Sequence, residues 1–141
     1  MKAQLLLSDY LLIRNLLGKV TRMKKILYIE DNQDTANAVR IILNHAGFET
    51  DIAFDGKTGL EKTKDNDYDL ILLDVMLPDM SGWDIFAKIK DKKNCKYAFL
   101  SAIPVSNERL SELKKEGVSD YIMKPFVKED LVTRINKIIS T

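Results

Sequence analysis

Four short apolar runs in this chain each end on a residue able to do chemistry. Ile26-Leu27-Tyr28-Ile29 is followed by Glu30 and Asp31, and Leu70-Ile71-Leu72-Leu73 by Asp74. Ala98-Phe99-Leu100 is followed by Ser101, and Tyr121-Ile122-Met123 by Lys124 and Pro125. Carboxylates brought close together repel unless a cation neutralises them. Hard oxygen ligands select Mg²⁺ or Mn²⁺. Mg²⁺ commonly takes one or two carboxylates, keeps several waters and shares phosphate oxygens. Glu30, Asp31 and Asp74 therefore suit a weakly held divalent ion with positions open to a phosphoryl group. A carboxylate can also attack phosphorus and form an aspartyl phosphate. The metal would stabilise charge on the transferring oxygens. Lys124 would add a second positive charge, and the Ser101 hydroxyl can donate to a bound phosphoryl oxygen.

These residues need strands to deliver them. A continuous apolar run of a few residues suits a strand buried on both faces of a parallel sheet. Five such runs are read: Ile26–Ile29, a weaker Phe48–Phe54, Leu70–Leu73, Tyr97–Leu100 and Tyr121–Met123. The second alternates polar and apolar residues, which suits a strand nearer the sheet edge. Helical patterns lie between them. Asp34 is read as the cap of a helix carrying Ala38, Ile41, Ile42 and His45, which Gly47 stops. Further helices are expected over residues 56–64, with Leu60 inward, and 83–90, with Ile85, Phe86 and Ile89 inward. Two more are expected over 106–116, with Leu110 and Leu113 inward, and 128–139, with Leu131, Ile135, Ile138 and Ile139 inward. Strand and helix alternating five times mean an open parallel sheet covered on both faces. Ligands on such sheets bind beyond the carboxyl ends of the strands, where all the singled-out residues fall.

Composition bounds the alternatives. A chain of 141 residues suits one domain with a proper core. A net charge of +1 gives no reason to expect nucleic acid or a membrane as a direct partner. One cysteine, Cys95, excludes a disulfide framework within one chain, and the single histidine, His45, argues against a histidine-rich metal site. The leucine-rich start is broken by Asp9 and Arg14, so neither a membrane span nor a secretory signal is convincing, and a cytoplasmic location is expected. Leu6, Tyr10, Ile13, Leu17 and Val20 form an apolar stripe at helical spacing. Residues 1–22 are thus expected to be an N-terminal helical extension, either a loosely attached leader or a docked or dimerising helix, and 23–141 the domain itself.

Taken in order, Glu30-Asp31, Asp74-Val75-Met76-Leu77-Pro78-Asp79-Met80-Ser81-Gly82, Ser101-Ala102 and Lys124-Pro125-Phe126 resemble the receiver domain of two-component response regulators. The resemblance covers residue 23 to about residue 140. It implies a flavodoxin-like doubly wound five-stranded parallel sheet of order 2-1-3-4-5 with five helices. It also implies a phosphorylation-dependent signalling switch, of the stand-alone chemotaxis type, rather than an enzyme. Asp74 matches the phosphoacceptor, Asp31 a direct metal ligand, Glu30 the acid that holds the ion through water, and the Met76 backbone carbonyl the remaining protein ligand. Lys124 matches the lysine that pairs with the acceptor or the phosphoryl group. Ser101 matches the switch hydroxyl and Tyr121 the switch aromatic, whose ring turns inward when that hydroxyl moves.

By the same resemblance the cofactor is Mg²⁺ and the donor a histidine kinase or histidine phosphotransfer protein. Output is expected at the repeat's fourth helix, fifth strand and fifth helix, around Glu108, Lys114, Tyr121 and Arg134, toward an unknown downstream protein. The chain is expected to be a monomer or a phosphorylation-dependent dimer; Asp120 and Arg134 sit where some relatives place one salt bridge of a dimer interface. With no effector domain expected after Thr141, signalling is expected through binding or onward relay. Met76 and Ile103 occupy positions that flank the route of water to the aspartyl phosphate, and both are bulky and apolar. The loop after Ser101 is about one residue longer than is common in the family, and Pro104 delays the next helix. The competing reading is an aspartyl-phosphate hydrolase or phosphotransferase. Such an enzyme needs a cap or substrate pocket for which this chain has little spare length. A pseudo-receiver that works without phosphate is disfavoured by the intact acids and lysine.

Overall fold

The computed structural model describes residues 6–16 and 22–141. Five parallel strands, β1 (Lys25–Ile29), β2 (Glu49–Ala53), β3 (Leu70–Leu73), β4 (Lys96–Ser101) and β5 (Val118–Met123), form one sheet in the order β2-β1-β3-β4-β5. The helices are α1 (Leu7–Leu16), α2 (Gln33–His45), α3 (Gly56–Asp65), α4 (Gly82–Ile89), α5 (Asn107–Glu116) and α6 (Lys128–Ser140). The repeat's own fourth and fifth helices are therefore α5 and α6. β2 is an edge strand, as its alternating sequence implies.

Successive strand residues point to opposite faces, and each face carries its own core. Ile26, Tyr28, Leu70, Leu72, Ala98, Leu100 and Ile122 pack under α2 and α6 through Val39, Leu43, Leu131 and Ile135. Leu27, Ile29, Ile71, Leu73, Tyr97, Phe99 and Tyr121 pack under α4 and α5 through Ile85, Phe86 and Leu113, with Leu60 of α3 beside them. Each fully buried Leu or Ile contributes about 1.5–3 kcal/mol, so the strands that carry the site are the best anchored part of the chain.

The helix starts and stops follow local chemistry. Asn32, not Asp34, caps α2: its side-chain oxygen accepts from the Thr35 amide at 2.9 Å, and Asp34 sits in the first turn, where its charge suits the helix dipole. The inward stripe of α2 is Ala36, Val39 and Leu43, not Ala38, Ile41 and His45; Ile41 is 64% exposed, and Ile42 is partly buried. Both stripes have helical spacing, and it is the first of them that packs on the sheet. Gly117, at φ 110°, ends α5 in the left-handed conformation that glycine adopts without penalty.

Leu6 and the described side chains of α1, Leu7 to Ile13, are exposed, so no apolar residue among these is buried. Leu17 and Val20 of the expected stripe lie outside the described residues. No helix among the described residues is long and apolar enough to cross a membrane.

Candidate functional site

The chain reverses its direction of winding between β1 and β3, and the singled-out residues gather there. β1 and β3 are hydrogen-bonded neighbours with Ile29 opposite Leu73. One residue further, the register sets Glu30 beside Asp74, and the Asp74 amide donates to the Ile29 carbonyl at 3.1 Å. Carboxylate oxygens of Glu30, Asp31 and Asp74 all lie within 4.8 Å of one another. Glu30 is 1% exposed and Asp74 7%, whereas Asp31 is open to solvent.

Lys124 arrives from the far side. Its amide donates to the Ser101 carbonyl at 2.9 Å, which continues the β4–β5 ladder. Two strand spacings, roughly 10 Å, separate β5 from β3, and the long lysine stem crosses the tip of β4. Nζ lies 3.0 Å from Asp74 Oδ2 and also pairs with Glu30 Oε1. The Lys124–Pro125 peptide is cis. Burial pulls the Lys124 ammonium down, but hydrogen bonds to Glu30 and Asp74 outweigh it, so its pKa is raised.

Glu30 is a buried acid with three donors: the Tyr28 hydroxyl at 3.1 Å, the Asn32 amide at 3.3 Å and Lys124. Burial raises its pKa, and the charge of Asp74 adds to this; Lys124 and the Asn32 amide oppose both. A cation near the three acids would relieve the same repulsion, and an all-oxygen donor set fits a hard divalent ion. Tyr28 was not singled out from sequence. It stands two residues before Glu30, on the same face of β1, and that parity is the signal that finds it.

Asp74 is held from the other side as well. Its Oδ1 accepts from the Met76 amide at 3.3 Å, and the loop that begins at Met76 folds back on itself. Met76 bridges Ser81, the Gly82 amide donates to the Val75 carbonyl at 2.8 Å, and Ser81 opens α4 with a capping box closed by Asp84. A Cβ built at Gly82 would collide with the backbone carbonyl of Asp74. Only glycine allows the loop to return this closely to the central acid.

Ser101 is fully buried, and its Oγ accepts from the Ile103 amide at 3.2 Å. The carbonyl of Ile103 accepts from the Tyr121 hydroxyl. The backbone of Ile103 thus joins the two residues expected to be the switch pair. The Tyr121 ring is already turned inward, 5% exposed, stacked on Phe99 at 5.8 Å and on Trp83 at 6.1 Å. The Arg109 guanidinium of α5 covers the Trp83 ring at 5.4 Å. Sequence reading missed Arg109. At the β5 edge, Asp120 of β5 and Arg134 of α6 pair with each other within the chain, in two contacts of 2.8 Å.

Cys95 plays no part: it lies at the opposite end of the sheet, near Asp69 and Arg22, and burial pushes its thiol up to about 11. A groove of about 440 Å³, lined by Thr35, Ala38, Ala102, Lys124, Pro125 and Phe126, opens beside Lys124.

Residues 26–136 match the family model described as response regulator receiver domain. The response regulator ArlR of Staphylococcus saprophyticus is 39% identical over 117 residues, covering 83% of this chain and 53% of that protein. ArlR of Staphylococcus aureus is 36% identical over the same shares. The chain spans about half the length of the curated relatives it matches. Among solved structures, the CheY-like response regulator receiver domain protein from Methanospirillum hungatei superposes with a TM-score of 0.77 at 29% identity, covering 84% of this chain and 95% of that one. The non-phosphorylated HemR receiver domain from Leptospira biflexa gives 0.76 at 28% identity, with the same coverage.

Proposed function

This chain belongs to the response regulator receiver domain family, and we propose that it works as a phosphorylation-dependent switch whose phosphoacceptor is Asp74. The observation that carries this reading is the register of β1 against β3, which sets Glu30 beside Asp74, together with the lysine that reaches both. An Asp74 carboxylate oxygen attacks the phosphorus of a phosphohistidine on a kinase or phosphotransfer protein. The P–O bond forms as the P–N bond breaks, and the imidazole nitrogen keeps the electron pair. Lys124 follows the negative charge from the carboxylate to the phosphoryl oxygens. Ser101 turns its hydroxyl from the Ile103 amide toward the same oxygens.

Magnesium, held by Glu30, Asp31, Asp74 and the carbonyl of Met76, would neutralise the acids and the transferring group. The open groove beside Lys124 gives a protein donor somewhere to rest. A phosphoryl group adds about −1.5 to −2 charge, and the contacts it makes favour one arrangement of the Ser101–Ile103–Tyr121 connection over another. Output then passes through the face formed by α5, β5 and α6, around Glu108, Lys114, Tyr121 and Arg134, to a downstream protein or to a second copy. Residues 23–141 form the receiver in this reading, and residues 1–22 an extension to it.

The test is labelling with acetyl phosphate and Mg²⁺, read by intact mass. One phosphoryl group on the wild type, none on Asp74→Asn and none after chelation of the metal support the reading. Labelling that survives Asp74→Asn overturns it. Continuous turnover of a phosphate ester by the isolated protein would instead favour an aspartyl-phosphate hydrolase.

A further inference from the structure

Asp79 lies in the middle of the loop that leaves Asp74, and it ties that loop to a helix of another unit. Its Oδ1 accepts from the Gly56 amide at 2.8 Å and its Oδ2 from the Lys57 amide at 2.9 Å, the first two amides of α3. Helix starts leave such amides without intrahelical partners. The third, Thr58, is taken by the side chain of the α3 cap, Asp55, at 2.7 Å. α3 therefore has two carboxylates at its start, its own Asp55 and one lent by the loop. Met80 lies against Gly56, where any Cβ would collide with the methionine side chain.

The loop's other anchors sit at its base: the Gly82–Val75 hydrogen bond and the Met76–Ser81 bridge. Asp79 and Met80 fix its far side, so the Met76 peptide is held from two directions. Charge-assisted hydrogen bonds to two amides are stronger than neutral ones and set both distance and orientation. A short loop anchored at base and tip has little freedom to swing its backbone carbonyls away from the acids.

We infer that Asp79 is a positioning residue for the cation site: by clamping the Met76–Ser81 loop to the start of α3, it preorganises the Met76 carbonyl for the divalent ion. This rests on the reading of Glu30, Asp31, Asp74 and Met76 as the Mg²⁺ ligands. Asp79 does not touch the ion. Losing groups that orient metal ligands typically weakens binding by 10–100-fold, and an exposed clamp acting through a loop belongs at the lower end, about tenfold.

The experiment is calorimetric titration of the full chain with Mg²⁺ alone, alongside the melting temperature of the metal-free protein. Three variants are compared with wild type: Asp79→Ala, the isosteric Asp79→Asn, and Asp55→Ala, which removes the other cap of the same helix without touching the loop. Both Asp79 variants should bind Mg²⁺ more weakly, by about tenfold for Ala, while Asp55→Ala lowers the melting temperature and leaves Mg²⁺ affinity unchanged. If the Asp79 variants lose stability but keep wild-type affinity, Asp79 only caps a helix and the inference fails. It fails equally if Asp55→Ala weakens Mg²⁺ as much as they do. A wild type that takes up no Mg²⁺ overturns the reading of the ligand set, and this inference with it. Should Asp79→Ala not fold, Asp79→Asn decides alone.

Discussion

Lys124 Nζ sits 3.0 Å from Asp74 Oδ2 although the whole of β4 lies between their strands, and from that position it also pairs with Glu30. Metal-free, it is the cation that holds the two buried acids together. Lys124→Ala should therefore destabilise the metal-free protein by about 2–3 kcal/mol, less than the ~3–5 expected for a fully buried pair because the site opens to solvent. Added Mg²⁺ should restore part of the loss, since it supplies the missing charge. Denaturant unfolding with and without Mg²⁺ measures both. A variant as stable as wild type, and indifferent to Mg²⁺, would mean the lysine carries no such role.

Gly82→Ala tests the close return of the loop. Its Cβ would meet the Asp74 backbone carbonyl, which cannot rotate away as a side chain would. Overpacking of this kind costs about 1–3 kcal/mol. Because the atom displaced belongs to the proposed phosphoacceptor, labelling by acetyl phosphate should slow as well. Gly82→Ala with wild-type stability and labelling would show that the backbone has room the contact denies.

The strand tips were legible because their physics is local: an apolar run of three or four residues that ends on a polar or charged group has few other readings. Glu30, Asp31, Asp74, Ser101 and Lys124 all lie where the apolar runs place them. The partners of those residues were less legible. Asp79 meets Gly56 and Lys57 only because two loops from different units approach in space. The choice of Asn32 over Asp34 as a cap is a two-residue difference, and both apolar stripes of α2 have helical spacing, so spacing alone does not choose between them. Ile103 joins Ser101 to Tyr121 through its backbone, and backbone groups carry no residue-specific signal.

Tyr121→Phe removes the hydroxyl that donates to Ile103 and keeps the ring between Phe99 and Trp83. The loss should be about 1 kcal/mol, the usual net worth of one hydrogen bond. Labelling of Asp74 should be unaffected, since the hydroxyl does not reach the acids. Any phosphorylation-dependent association should weaken, because the loop no longer reports the position of Ser101 to α5. Sedimentation of labelled and unlabelled protein compares the two effects. Unchanged association in both forms would remove Tyr121 from the switch.

Away from the site, Asp51 and Asp69 give the fold an acid sensitivity of definite sign. Burial alone would raise both, but Asp51 accepts from Tyr68 at 2.7 Å and from Lys62, while Asp69 accepts from the Lys25 amide at 2.7 Å and from Arg22; both pKa values are lowered. A carboxyl depressed in the folded state stabilises above its unfolded value, about 3.9, and loses that contribution as pH falls through the folded value. Asp51→Asn and Asp69→Asn should each cost about 0.5–1 kcal/mol at neutral pH after solvent screening. Their melting temperatures should approach that of wild type as the pH drops below about 3.9. Melting curves across that range check the sign, and a gap that widens toward acid would contradict it.

The lifetime of the phosphorylated form should be long. Hydrolysis needs a water held in line with the aspartyl phosphate, and a polar side chain near that line can orient one. By the family resemblance Met76 and Ile103 occupy the positions that flank this approach, and neither offers a hydrogen-bonding side chain; Met76 is 65% exposed. Ile103 is half-buried against the core, and its amide is engaged with Ser101. Two bulky apolar side chains at those positions would neither recruit nor readily admit water. Labelled protein freed of donor should keep its phosphoryl group for many minutes in Mg²⁺, followed by intact mass. Met76→Asn, which puts an amide where the thioether stands, should shorten that lifetime by about tenfold, the size of effect that one modest water-orienting group supplies below full general-base catalysis. A wild-type lifetime of only seconds, or one that Met76→Asn leaves unchanged, would show that water reaches the phosphorus by a path these two side chains do not guard.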